Sequence, residues 1–147
     1  MIRDIIHLNI NVTDIRRSIA FYEALGFRVM HVFGDRPDAD VMDGMAFEGG
    51  RCRGAVLTLG DHDRCWTKIE LIEWVEPRVN PTPPASSHAA GISRIALRTK
   101  DLEAFVTRLE ENGIEFETSP QAIDIVGAKR FALFRDPDGV LLELIEF

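Results

Sequence analysis

Apolar and polar residues alternate along Ile6-His7-Leu8-Asn9-Ile10-Asn11-Val12. A period of two predicts a half-buried strand with His7, Asn9 and Asn11 on one face. The period then lengthens: Ile15, Ile19, Tyr22 and Leu25 recur at steps of four, three and three, one stripe of a helix. Thr13 or Asp14 stands where a side-chain oxygen accepts from the first free backbone N–H groups, and Gly26 where a left-handed residue ends the helix. The pattern returns later in the chain, with Asp101 as the cap, Leu102, Phe105, Val106 and Leu109 as the stripe, and Gly113 as the stop. Three extended runs are expected after each helix, over 27–33, about 45–59 and 67–75 in the first half, and over 115–118, 130–135 and 140–147 in the second. Asp136-Pro137-Asp138-Gly139 predicts a tight turn that makes a hairpin of the last two runs.

The recurrence is an internal repeat. Residues 6–15 align with 93–102 at an offset of 87, and the same offset pairs Leu25-Gly26-Phe27 with Asn112-Gly113-Ile114. At the far ends, Ile69-Glu70-Leu71-Ile72-Glu73-Trp74 aligns with Leu142-Glu143-Leu144-Ile145-Glu146-Phe147 at an offset of 73, with four of six positions identical. The second copy is therefore 14 residues shorter in its middle. The expected fold class is α+β: one domain over 1–147 made of two tandem βαβββ modules, about 1–76 and 92–147. Residues 77–91, rich in proline, form the linker. The extra length of the first copy, 34–50, reads as a surface loop.

Composition narrows the function. The length suits one ordinary domain, and 46% apolar with 28% charged residues is the balance of a soluble protein. No apolar run approaches the roughly 20 residues that span a bilayer. The first residues, with Arg3 and Asp4, do not read as a signal peptide. Asp and Glu exceed Lys and Arg, 24 to 17, and the net charge of −7 argues against nucleic acid as a partner. Cys52 and Cys65 lack the spacing of a disulfide framework or zinc site. The expectation is a cytoplasmic protein acting on a small molecule.

Strand alternation selects candidate chemistry. His7 lies on the face opposite Ile6 and Leu8, and Glu70 and Glu143 occupy repeat-equivalent places on the last strands. A histidine with two carboxylates suits a borderline or hard divalent ion. The bland alternatives are a structural histidine and two solvated carboxylates. His31 and His62 read as incidental. Met42, Met45, Phe47 and Trp66 line either a ligand cup or the core.

With its two βαβββ modules, the strand bearing His7 and the Asp136-Pro-Asp-Gly-Val-Leu-Leu-Glu-Leu144 ending, the chain resembles the vicinal-oxygen-chelate superfamily. That group includes glyoxalase I, bleomycin-resistance proteins and extradiol dioxygenases. The resemblance covers nearly the whole chain. It implies a curved, cup-shaped mixed sheet with helices outside, a homodimer, and a divalent metal (zinc, nickel, iron or manganese) held by the first and last strands of each module. Carried over, those positions are His7 and Glu70, then Arg94 and Glu143. Arg94 departs from the pattern, which has histidine there, because guanidinium is always protonated and has no lone pair for a metal. Against a dication about 4 Å away it is repelled by about 8 kcal/mol at an effective dielectric near 20. His88, six residues earlier, is no ready replacement. Arg94 is expected to pair with Glu143 or Glu70, or to bind a substrate carboxylate or phosphate.

The function expected from the resemblance is a lyase- or isomerase-type enzyme that moves a proton next to a carbonyl. In that reading His7, Glu70 and Glu143 are the metal ligands, Glu143 or Glu70 is the base, and Arg94 binds substrate. The alternatives are a metal-free sequestering protein of the bleomycin-resistance type and a metal-free enzyme using Arg94 and His7. All four residues are expected to line one cup.

Overall fold

A computed structural model describes residues 1–34, 50–60, 67–78, 88 and 90–147. The chain divides into two compact units, Met1–Pro81 and Thr82–Phe147. Each has the order read from the sequence. Unit one runs β1 (His7–Asn11), α1 (Ile15–Ala24), β2 (Phe27–Phe33), β3 (Arg51–Leu59) and β4 (Lys68–Glu76). Unit two runs β5 (Ile95–Thr99), α2 (Leu102–Glu111), β6 (Gln121–Ile125), β7 (Ala128–Arg135) and β8 (Leu141–Glu146). The fold class is the α+β one expected, with two four-stranded mixed sheets ordered β1-β4-β3-β2 and β5-β8-β7-β6. In each, the first strand lies parallel to the last and the other neighbours are antiparallel.

The helices begin and end for the expected reasons. Asp14 accepts from the backbone N–H of Arg16 and Arg17 at 3.0 and 3.1 Å, and Asp101 from that of Ala104 at 3.0 Å. Gly26 and Gly113 close them with φ of 97° and 78°, a region where a Cβ is unfavourable. On α1 the buried stripe is Ile15, Ser18, Tyr22 and Leu25, so Ser18 takes the inward place expected of Ile19. Each helix covers one face of its sheet. Ala55, Leu57, Ile69 and Leu71 are buried there in unit one, and Ala132, Phe134, Leu142 and Leu144 in unit two. These are the same four positions in the repeat, since Ala55 and Ala132 lie opposite Leu71 and Leu144.

Asp136 makes the expected turn, accepting from the backbone of Asp138 and Val140 at 3.0 and 2.8 Å, with Gly139 at φ 91°. Two expected runs need correction. Residues 115–118 meet β7 at an isolated bridge from Phe116 to Phe134, where the Glu117 N–H donates to the Leu133 carbonyl at 2.7 Å, and the strand forms instead over Gln121–Ile125. Pro120 separates the two stretches, and without an N–H it cannot continue the ladder. The run expected over 45–59 begins as β3 at Arg51; residues 45–49 lie outside the described residues, as do Met42, Met45, Phe47, His62, Cys65, Trp66 and most of the expected loop and linker. Among the described residues no helix is long and apolar enough to cross a membrane.

Candidate functional site

Parallel pairing of the first and last strands sets the site residues in register. In unit one Asn9 lies opposite Glu70, and His7, two residues earlier, shares their face. His7 Nε2 is 3.4 Å from Glu70 Oε2; the histidine is half exposed and the carboxylate about a quarter exposed. Further along this face Trp74 Nε1 donates to Asn11 Oδ1 at 3.0 Å. Cys52 and Ile72 are buried with Phe33 and Trp74 packed against them. Gly54 is what lets Phe33 lie there, because a Cβ at that position would sit 2.4 Å from the Phe33 ring and from the Leu71 carbonyl oxygen. Burial first, and then the charge of Glu70, pushes the Cys52 thiol up. Thr58 is fully buried, and its hydroxyl has no hydrogen-bond partner among the described residues.

Unit two repeats the register with different chemistry. Ala96 lies opposite Glu143, as Asn9 does opposite Glu70. Arg94 stands where His7 stands, and its Nε donates to Glu143 Oε2 at 2.8 Å. Glu143 keeps only 7% of its side chain exposed against 23% for Glu70. The difference marks, in unit two, a buried carboxylate paired with its guanidinium, and in unit one a carboxylate that remains accessible. Four residues on, Arg98 lies over the Phe147 ring, 4.2 Å from its centroid, in the place of the Asn11–Trp74 hydrogen bond.

A third pair of equivalents lies on the helix-facing side. Glu73 accepts from the backbone N–H of Ile15 at 2.9 Å, from Arg53 Nε at 3.0 Å and from its terminal nitrogen at 2.8 Å. Glu146 accepts from the backbone N–H of Leu102 at 2.8 Å and from Arg130 at 2.9 Å, and Arg130 also binds Glu103 at 2.7 Å. Each glutamate thus fixes a helix start to the last strand. The Arg53 hydrogen bond is the main reason Glu73 is held below the usual carboxylate range; for Glu146 it is the Leu102 N–H, with Arg130 second.

The structure therefore joins His7 to Glu70 and Arg94 to Glu143, each inside its own unit. His31 stacks on Phe33, with ring centroids 6.4 Å apart. The sequence reading missed Arg53, Glu73, Arg130 and Glu146, although the 73-residue offset aligns the two glutamates as identical residues. It also missed Arg98. The metal implied by the resemblance meets a mixed donor set. In unit one His7 and Glu70 are suitable ligands, whereas in unit two Glu143 is bound to a guanidinium that has no lone pair, so the Arg94–Glu143 pair does not fit a divalent ion.

The sequence profile of the Glyoxalase/Bleomycin resistance protein/Dioxygenase superfamily matches residues 4–144. The uncharacterised protein YwkD of Bacillus subtilis (strain 168) is 31% identical over 147 residues, covering 99% of this chain and 98% of its own. Among solved structures, a glyoxalase family protein from Bacillus cereus superposes with a TM-score of 0.83 at 20% identity, covering 99% of this chain and 94% of the other. The trypanothione-dependent glyoxalase I of Leishmania major superposes at 0.66 with 25% identity, covering 98% and 86%. With a match that spans both units, this chain belongs to the Glyoxalase/Bleomycin resistance protein/Dioxygenase superfamily.

Proposed function

We propose that the protein is a glyoxalase-like enzyme that moves a proton next to a carbonyl group of a small organic anion, without a metal, using His7, Glu70, Arg94 and Glu143. The observation that carries this reading is the 2.8 Å bond from Arg94 Nε to buried Glu143. Among the described residues only Nε is engaged, so the two terminal nitrogens keep their donors for a substrate carboxylate or phosphate. Glu143 holds the guanidinium in place. Glu70 is the base, because it is the more exposed carboxylate and its ion-pair partner among the described residues is an imidazole, His7, at 3.4 Å. In this scheme Glu70 takes the proton from the carbon beside the carbonyl. The C–H electron pair becomes a carbon–carbon double bond as the carbonyl π pair moves to its oxygen, to which His7 donates a hydrogen bond; Glu70 then returns the proton to the same carbon as the carbonyl re-forms. No oxidant or co-reactant is consumed.

The second reading places a zinc, nickel, iron or manganese ion on His7, Glu70 and Glu143. The approach of His7 to Glu70 favours it, and it requires Arg94 to release Glu143. Calorimetric titration with zinc and nickel separates the two. The wild type is expected to bind weakly, and Arg94→His to tighten binding by at least about tenfold, as a fixed positive charge gives way to a ligand. Tight wild-type binding, unchanged in the variant, moves the conclusion to the metalloenzyme. Proton exchange is read by NMR in deuterated water with 2-oxocarboxylates as probes, and Glu70→Gln should abolish it. Saturable binding of these anions without exchange makes the protein a sequestering one.

A further inference from the structure

We infer that unit two contacts a second anionic group through Arg98, so that the ligand is an organic dianion; this rests on Arg94 being the first anion anchor. Strand β5 is an edge strand, and alternation places Arg94, Ala96 and Arg98 on one face, with Ala96 opposite Glu143 and Arg98 opposite Ile145. The Arg98 guanidinium lies 4.2 Å from the Phe147 ring centroid. Stacking engages the flat face of a guanidinium and leaves its in-plane N–H donors facing outward.

No carboxylate pairs with Arg98 among the described residues, whereas Arg130 is bound by Glu103 and Glu146 and Arg135 by Glu117. In a chain with 24 acidic residues against 17 basic ones, an arginine held by an aromatic ring without an acid is set up to meet an external anion. The equivalent position in unit one makes the contrast plain, since Asn11 already accepts from Trp74. At about 3.3 Å per residue, the Cα atoms of Arg94 and Arg98 are roughly 13 Å apart. Ala96 between them is exposed and has only a methyl group, which leaves room for an uncharged spacer. Glu143 is the acid on the neighbouring strand beside this strip, and Arg94 already neutralises it. The ligand this arrangement recognises has a carboxylate or phosphate at each end of a chain of several carbons.

Titration of the full chain with linear dicarboxylates from succinate to sebacate, and with monocarboxylates of matching length, tests the inference. Diacids of about eight to ten carbons should bind about tenfold tighter than the matching monoacids, as one added charge-assisted contact provides. Arg98→Gln should erase that ratio and leave monoacid affinity at its wild-type value, while Arg94→Gln should weaken both classes. Equal binding of diacids and monoacids by the wild type, or an unchanged ratio in Arg98→Gln, overturns the role of Arg98. If neither class binds, or if Arg94→Gln binds as the wild type does, the Arg94 anchor itself falls.

Discussion

The two units keep the same helix-facing side and differ on the opposite side. Towards the helix, Ala55, Leu57, Leu71, Arg53 and Glu73 recur as Ala132, Phe134, Leu144, Arg130 and Glu146, four of the five unchanged in type. On the other face His7 becomes Arg94, Asn11 becomes Arg98 and Gly54 becomes Phe131, while Glu70 persists as Glu143. The repeated side forms the core and fixes the helix start, so it tolerates little change. The divergent side carries the candidate site residues. Unit one offers an accessible imidazole–carboxylate pair, and unit two offers guanidinium groups.

The largest expected effects test the repeated side. Leu71 and Leu144 are equivalent and essentially fully buried, at 0% and 1% exposure. Truncation to alanine removes the same atoms from the same environment, so each variant should lose roughly 2–5 kcal/mol in denaturant unfolding. A large loss in one unit and a negligible one in the other would break the equivalence of the cores.

Next comes the divergent side. Gly54→Ala places a Cβ 2.4 Å from both the Phe33 ring and the Leu71 carbonyl oxygen, and backbone on one side leaves little room to relax. Overpacking of this kind costs about 1–3 kcal/mol. At the equivalent place in unit two the chain carries Phe131, half-buried and opposite Ile145, so Phe131→Leu should be far milder. Similar losses from the two substitutions would mean that the close approach of Phe33 is not specific to unit one.

Much of this was legible in the sequence. Period-two and helical spacing, Asp14 and Asp101 as caps, and the Asp136 turn each have a local cause, and each element formed. The pairing of Arg94 with Glu143 was one of the alternatives open in the sequence, beside Glu70 and a substrate anion, and the parallel register of β5 with β8 brings Arg94 to Glu143. What escaped depended on longer-range geometry. The β6 segment Gln121–Ile125 carries a weak, partly polar alternation, and its place is set by Pro120 and by pairing with β7. The Arg53–Glu73 and Arg130–Glu146 pairs resemble ordinary surface charges until the strand brings each glutamate to a helix start. Arg98 is an exposed arginine in the sequence, and the stack on Phe147 becomes visible only when parallel pairing brings β5 alongside β8.

Acid sensitivity sharpens the repeated side further. Glu73 and Glu146 are both held below the ordinary glutamate value of 4.5. A carboxyl with a depressed folded-state value adds stability above its unfolded value, and the gain is lost as pH falls through the folded one. Wild-type stability should therefore hold from pH 7 to about 5 and decline below that. Glu73→Gln and Glu146→Gln should each be less stable than wild type at pH 7, with the gap closing as the pH drops below 4.5. Urea unfolding at a series of pH values reads this directly. A gap that stays constant with pH for one of the two would show that its hydrogen bonds do not depend on the ionised form.

The smallest expected effects concern Asn11 and Arg98, and they separate folding from chemistry. Asn11→Ala removes the acceptor of the Trp74 N–H; both groups reach solvent, so water replaces the lost partner and the expected loss is about 0.5 kcal/mol. Arg98→Ala removes a cation from the Phe147 ring at an exposed site, a contact worth about 0.5–1 kcal/mol. In thermal or urea unfolding the two variants should thus be nearly indistinguishable. The Asn11 oxygen is already engaged with Trp74, whereas the Arg98 donors have no acid partner among the described residues, so organic dianions should respond to the arginine variant alone. If Asn11→Ala weakens dianion binding as much as Arg98→Ala does, the divergence at this position is not a difference in anion recognition. Unequal stability losses with equal binding would instead make the Arg98–Phe147 stack a structural contact.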